Sequence, residues 1–311
     1  MSTSPPDRDL PSQVGPLETY SAATRARFGD EAGAWLSGLT DLIAELRQRW
    51  TLEVDEPGVA TDTRYVLQAS RGGDRLVLEL SYPDGWWAET TRALEAWHGE
   101  GVLRLFDHDA RGARSLEYHE PTTPAPDEPA ALRDACAVAR RLWIRAPDGI
   151  TAVAAEVRVW ASELQERHVR AGRPFERELV RAATELFSTL GPTQGDRVLL
   201  HGDLRLASIA LADDRRVALD PQPLVGEREF DAASLLRDTP GDLIVDMNDG
   251  RQRVKTRFEI LIEELGCNAN RLKGWAFATA VDQAVWCAES GDHATAAAII
   301  ETARMIRALE L

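Results

Sequence analysis

Near residue 120 the spacing of apolar residues changes, and that change limits the chain to a two-part fold. Before it, the runs "RWTLEV", "RYVLQAS", "RLVLELS", "VLRLFDHD" and "ARSLEYHE" read as half-buried strands. "GGD" at 72–74 predicts a turn between the second and third of these. "PDGWWAETTRALEAWHGEG" predicts one helix bounded by turn residues. From Ala130 onward the spacing is helical: 129–144, 153–169, 173–190, 230–238, 250–266, 269–290 and 292–309. A strand-rich interlude at 197–220 interrupts it. Ahead of the sheet, "WLSGLTDLIAELRQRW" lines up Trp35, Leu39, Leu42, Ile43 and Leu46 on one helical stripe. The expected organisation is a disordered tail over 1–15, a small lobe over 16–120 with about five strands and a helix, and a larger helical lobe over 121–311. "EPTTPAPDEPA", Pro-rich and polar, is the expected connector.

With 311 residues, 44% of them apolar, the chain can bury a substantial core. Its formal net charge of −15 argues against nucleic acid and anionic membrane faces as partners, and it is compatible with a cationic small molecule. Cys136, Cys267 and Cys287 are odd in number and widely spaced, which fits a reducing cytoplasm better than a disulfide framework or a zinc site. No apolar run approaches the ~20 residues of a membrane-spanning helix. The N-terminus lacks the layout of a signal peptide. His98, His108 and His119 lack metal-ligand spacing.

The interlude carries the chemistry. Phosphoryl transfer from ATP needs a carboxylate on the acceptor hydroxyl, metal ligands between the phosphates, and a cation on the nucleotide. Asp203, in "HGD", ends an apolar strand, where the orienting carboxylate belongs. Asp220, in "VALDPQP", follows a second short strand, at the place of a magnesium ligand. Either one alone reads more readily as a turn aspartate; the surrounding words favour a site.

Those words are specific. "GDRVLLHGDL" with "VALDPQPLVGEREFD" resembles the aminoglycoside phosphotransferase family, and within it the streptomycin 6-kinase and hydroxyurea phosphotransferase group. "AWHGEGVLRLFDHD" and "TRFEILIEELGCNANRLKGWAFATAVDQAVW" agree with it in order, so the resemblance spans roughly 15–310. It implies an α+β, protein-kinase-like two-lobed fold with ATP between the lobes. A hydroxylated small molecule would lie against the helical lobe. It also suggests that Asp231 buttresses the catalytic loop, with His201 structural rather than a base.

Three positions depart from the family pattern. Ser208 stands where the family keeps a magnesium-binding Asn, and Arg205 where it keeps a second His. Glu79, in "VLEL", takes the place of the nucleotide-gripping lysine. A unit charge pair at about 4 Å and an effective dielectric near 20 is worth roughly 4 kcal/mol, so exchanging attraction for repulsion there is a large change. No lysine precedes Lys255, so the cation would have to be Arg64, Arg75 or Arg92. Helix spacing also allows a Glu79–Arg92 pair of reversed polarity. On this reading Glu79→Lys should tighten nucleotide binding. The segment "DEPGVATDTRY", which should cover the phosphates, has one glycine and two acids before Thr61.

Three functions stay open at this stage. One is a pseudokinase, a small-molecule-binding module with an altered ATP site and no cofactor. Another is an active O-phosphotransferase using ATP and Mg2+ on a hydroxylated metabolite or antibiotic. The third is a repurposed enzyme using the cleft for other chemistry. Asp282, Trp286 and Glu289 share one helical face and would line a pocket for an amine-bearing ligand, or else form a solvated face with one core tryptophan. Trp86 and Trp87 would be a contact patch or simple packing.

Overall fold

The computed structural model describes residues 17–61, 63–119, 128–238 and 247–310. The tail at 1–15 and most of the Pro-rich connector lie outside the described residues. The chain divides into two compact units, residues 1–120 and 121–311.

The smaller unit opens with three helices, α1 (Leu17–Phe28), α2 (Glu31–Ser37) and α3 (Leu39–Arg49). The helices are separated at Gly29, in the left-handed region, and at Gly38. The strands are β1 (Glu53–Val54), β2 (Val59–Ala60), β3 (Tyr65–Arg71), β4 (Asp74–Leu80), β5 (Leu105–Asp109) and β6 (Ala113–Glu117). They pair antiparallel in the order β1-β3-β4-β6-β5, with β2 also on β3. The sheet thus has six strands rather than about five. The additional one, β2, is two residues long and too short to show an alternating pattern. Leu76, Leu78 and Leu80 of β4 join Leu39, Leu42, Ile43 and Leu46 of α3 in one buried cluster. Between β4 and β5 runs α4 (Gly85–Trp97), started by Asp84, whose carboxylate accepts from the Trp87 amide at 2.8 Å.

In the larger unit, α5 (Glu128–Leu142), α6 (Val153–Arg170) and α7 (Arg177–Leu190) precede β7 (Arg197–Leu200), β8 (Ile209–Ala212), β9 (Arg215–Ala218) and β10 (Leu224–Glu227). After these come α8 (Arg228–Arg237), α9 (Met247–Leu265), α10 (Ala269–Glu289) and α11 (His293–Arg307). β7 pairs with β10 and β8 with β9, both antiparallel. α10 is apolar around most of its circumference, and it is accordingly buried along most of its length. Its Trp275 meets Phe230 edge-on at 5.3 Å. α8 is buried almost throughout, charged residues included, and those charges organise the site.

Among the described residues, no helix is long and apolar enough to cross a membrane. Cys136, Cys267 and Cys287 are free thiols in the interior, and burial pushes Cys136 and Cys267 up to about 12.

Candidate active site

The loop after β7 is held from beneath by one carboxylate. Asp231, on α8, is fully buried. It accepts from the His201 amide at 2.8 Å, the Gly202 amide at 2.7 Å and the Trp143 indole at 3.1 Å. Burial raises its pKa against the pull of His201 and these donors. His201, itself fully buried, is pushed the other way, toward the neutral form, again by burial. Its Nε2 lies 3.0 Å from the Leu219 carbonyl, which can only accept, so Nε2 carries the proton and Nδ1 is the bare nitrogen. Buried and clasped on both sides, His201 holds the loop in place.

The same clasp joins the two candidate carboxylates. Gln222 donates its amide to the His201 carbonyl at 2.7 Å, and Leu219 donates to the Ser208 carbonyl at 2.8 Å. Gly202 has φ +84°, and a Cβ there would sit 1.9 Å from the Gln222 carbonyl oxygen. Only glycine permits that approach. The "HGD" and "DPQP" loops are therefore stitched side by side, and both Asp203 and Asp220 lie close enough to His201 to act on its charge. Asp220 is exposed and left-handed, at φ +61°. A non-glycine residue there costs about 1–3 kcal/mol, and the surrounding hydrogen bonds maintain it.

Asp203 is buried and flanked by two guanidinium groups. Arg205 Nε lies 3.2 Å from Oδ2, and Arg237 Nη2 lies 3.5 Å from Oδ1. Arg237 is fixed in turn by Ser234 Oγ at 3.4 Å and by Gln283 of α10. Ser208 ends a short 3-10 turn, where its hydroxyl accepts from the Arg205 amide at 3.0 Å and donates to the Arg205 carbonyl at 2.8 Å. The turn is also tied to Asp238, which accepts from the Leu206 amide at 2.8 Å; burial raises its pKa.

The Asp282–Glu289 face of α10 meets arginines of α6. Arg167 bonds Asp282 at 2.8 Å and Glu289 at 3.1 Å, and Arg170 bonds Glu289 at 2.8 Å. A cationic ligand would have to displace these partners. Trp286, between them, is half-buried.

In the smaller unit Glu79 is buried, with 5% exposure. Its ion-pair partners are Arg114 and Arg64 rather than the Arg92 that helix spacing allows. Arg114, directly opposite on β6, places Nη2 2.7 Å from Oε1, and Arg64 places Nη1 3.3 Å from Oε2. Arg92 is exposed on α4, whereas Trp87 is buried there with the Arg114 guanidinium 5.6 Å from its ring centroid. Sequence reasoning missed Arg114, Arg237 and Gln283. The first two left a signal, a lone arginine within an apolar run ("ARSL", "ASLLR") that must find a buried partner.

The model of the aminoglycoside/hydroxyurea antibiotic resistance kinase family matches residues 49–291, and the chain belongs to that family. A streptomycin 6-kinase of Streptomyces glaucescens is 31% identical over 297 residues, which cover 93% of this chain and 96% of the relative. A hydroxyurea phosphotransferase of Kitasatospora aureofaciens is 31% identical over 283 residues, covering 86% and 79%. Among solved structures, choline kinase LicA from Streptococcus pneumoniae superposes with a TM-score of 0.58 at 12% identity, covering 87% of this chain and 99% of that one. At that identity it speaks for the fold alone: α+β and protein-kinase-like.

Proposed function

We propose that this chain is a working ATP-dependent O-phosphotransferase whose acceptor is a hydroxylated, cationic small molecule of the aminoglycoside class. The observation that carries the reading is the clasped pair of loops. Asp231, His201 and Gly202 hold the Asp203 loop in a fixed geometry, and Asp220 is kept in a strained, exposed conformation beside it. Relatives named for streptomycin and hydroxyurea phosphorylation support the class, and the acidic charge of the chain suits a cationic acceptor.

Phosphoryl transfer passes through a loose transition state, so its catalysis is mostly positioning and charge neutralisation. Asp203, held by Arg205 and Arg237, orients the acceptor hydroxyl and receives its proton as the oxygen–phosphorus bond forms. The bond from the γ-phosphorus to the bridging oxygen breaks, and ADP leaves. Arg205, the more exposed of the two arginines, faces the charge that builds on the phosphoryl oxygens. Exposed Asp220 is the carboxylate that would hold a magnesium ion, which would supply neutralisation of the phosphate charge. Ser208 contributes by closing the turn, and one lone pair of its hydroxyl remains beyond the two bonds it makes.

A second reading, a pseudokinase, draws on Glu79 at the lysine position and on the Ser208 hydroxyl already bonded to Arg205. ADP release with MgATP and streptomycin separates the two. The wild-type chain should turn over, and Asp203→Ala should lose about 100-fold or more with its fold intact by circular dichroism. Equal release by both, or by neither, contradicts the proposal.

A further inference from the structure

The residue after Asp282 on α10 reaches the Asp203 carboxylate through one intermediary. Gln283 Oε1 accepts a hydrogen bond from Arg237 Nη1, and Arg237 places Nη2 3.5 Å from Oδ1 of Asp203. A single guanidinium thus joins the Gln283 side chain to the carboxylate proposed to orient the acceptor. Arg237 is buried, and Ser234 Oγ at 3.4 Å also holds it. A guanidinium only donates, so the oxygen of the Gln283 amide is the atom turned toward it and the NH2 group is turned away. That NH2 group has no hydrogen-bond partner among the described residues, and on a half-buried side chain it keeps access to solvent. The carboxamide is therefore a donor whose direction is set before any ligand arrives.

We infer that Gln283 is a specificity-determining residue of the acceptor site: its NH2 group donates to a neutral oxygen of the acceptor, a hydroxyl or ring ether beside the hydroxyl that Asp203 takes. The inference rests on the phosphotransferase reading above. An ammonium carries donors only and finds no acceptor in an NH2 group, so the cationic groups of the ligand lie elsewhere. The acidic charge of the chain draws a cationic ligand in, while at this place an oxygen is read. A site that hydrogen-bonds a substrate oxygen rejects the analogue lacking it far better than an apolar pocket does.

Steady-state kinetics of the full chain with MgATP and streptomycin tests this, with Gln283→Glu as the first variant. Its carboxylate keeps oxygens for Arg237 and has no N–H to give the ligand. KM for streptomycin should rise about tenfold while kcat changes less than about threefold. Gln283→Met also lacks the donor and is the second variant in case the first does not fold; its KM should rise at least as much. An unchanged KM in the folded variant overturns the assignment, and a kcat loss at unchanged KM would make Gln283 a support for Arg237 alone. A KM that falls in Gln283→Glu overturns it too, because it would put a cationic group of the ligand at that place. A wild-type chain that releases no ADP with MgATP and streptomycin overturns the phosphotransferase reading along with it.

Discussion

Buried charge decides the behaviour of single residues in this chain. Glu79 is held between Arg64 and Arg114, so Glu79→Lys would place three cations in one buried cluster. Far from restoring a nucleotide site, it should lower stability by about 3 kcal/mol or more, read as a fall in the urea midpoint. Tighter MgATP binding at unchanged stability would contradict this. His201 gives a pH signature. Its pKa is depressed in the fold, so its contribution is present above the unfolded value near 6.5 and is lost as pH falls from there toward the folded value. Asp231 and Asp238, raised by burial, act in the opposite sense, favouring the fold at lower pH. Melting followed from about pH 7 to about pH 5 should therefore show a smaller acid-side loss in His201→Asn than in wild type. An identical slope in both would remove His201 from the account.

At the scale of elements, α10 serves two neighbours. Gln283 holds Arg237, which flanks Asp203, while Asp282 and Glu289 bind α6 through Arg167 and Arg170. Asp282→Asn should then cost about 1 kcal/mol, roughly 2–4 °C in Tm, and move the acceptor KM by less than about threefold. A tenfold rise in KM at unchanged Tm would instead make Asp282 a substrate contact. Much of this architecture was legible in the sequence. β3 and β4 alternate cleanly about Gly72–Gly73, and the long helices show their stripes. Shorter features were not: β2 spans two residues, and "RWTLEV" begins as the last turn of α3 because tertiary packing of Trp50 overrides its strand-like pattern. α7 starts at Arg177, later than its pattern implied, after a left-handed Arg173 followed by Pro174. Asp203 and Asp220 stood out because their motifs are local. Arg114 and Arg237 act across 35 and 34 positions, through pairings that no local window contains.

For the whole molecule, a charge of −15 sets long-range behaviour toward ligands of either sign. Raising salt from about 0.05 M to about 0.5 M should raise KM for a cationic aminoglycoside severalfold, because screening shortens the reach of the attracting field. KM for anionic MgATP should stay level or fall. Parallel rises in both would point to general inhibition by salt and would separate net charge from acceptor choice. The relatives matched along nearly the whole chain are named for transferring phosphate to small molecules, and the clasped loops hold Asp203 and Asp220, the two carboxylates proposed for that chemistry. Phosphorus NMR of the chain incubated with MgATP and streptomycin is the most direct test. The account predicts a phosphomonoester resonance on the aminoglycoside that grows with time and is absent with Asp203→Ala; a spectrum showing only unreacted ATP would contradict it.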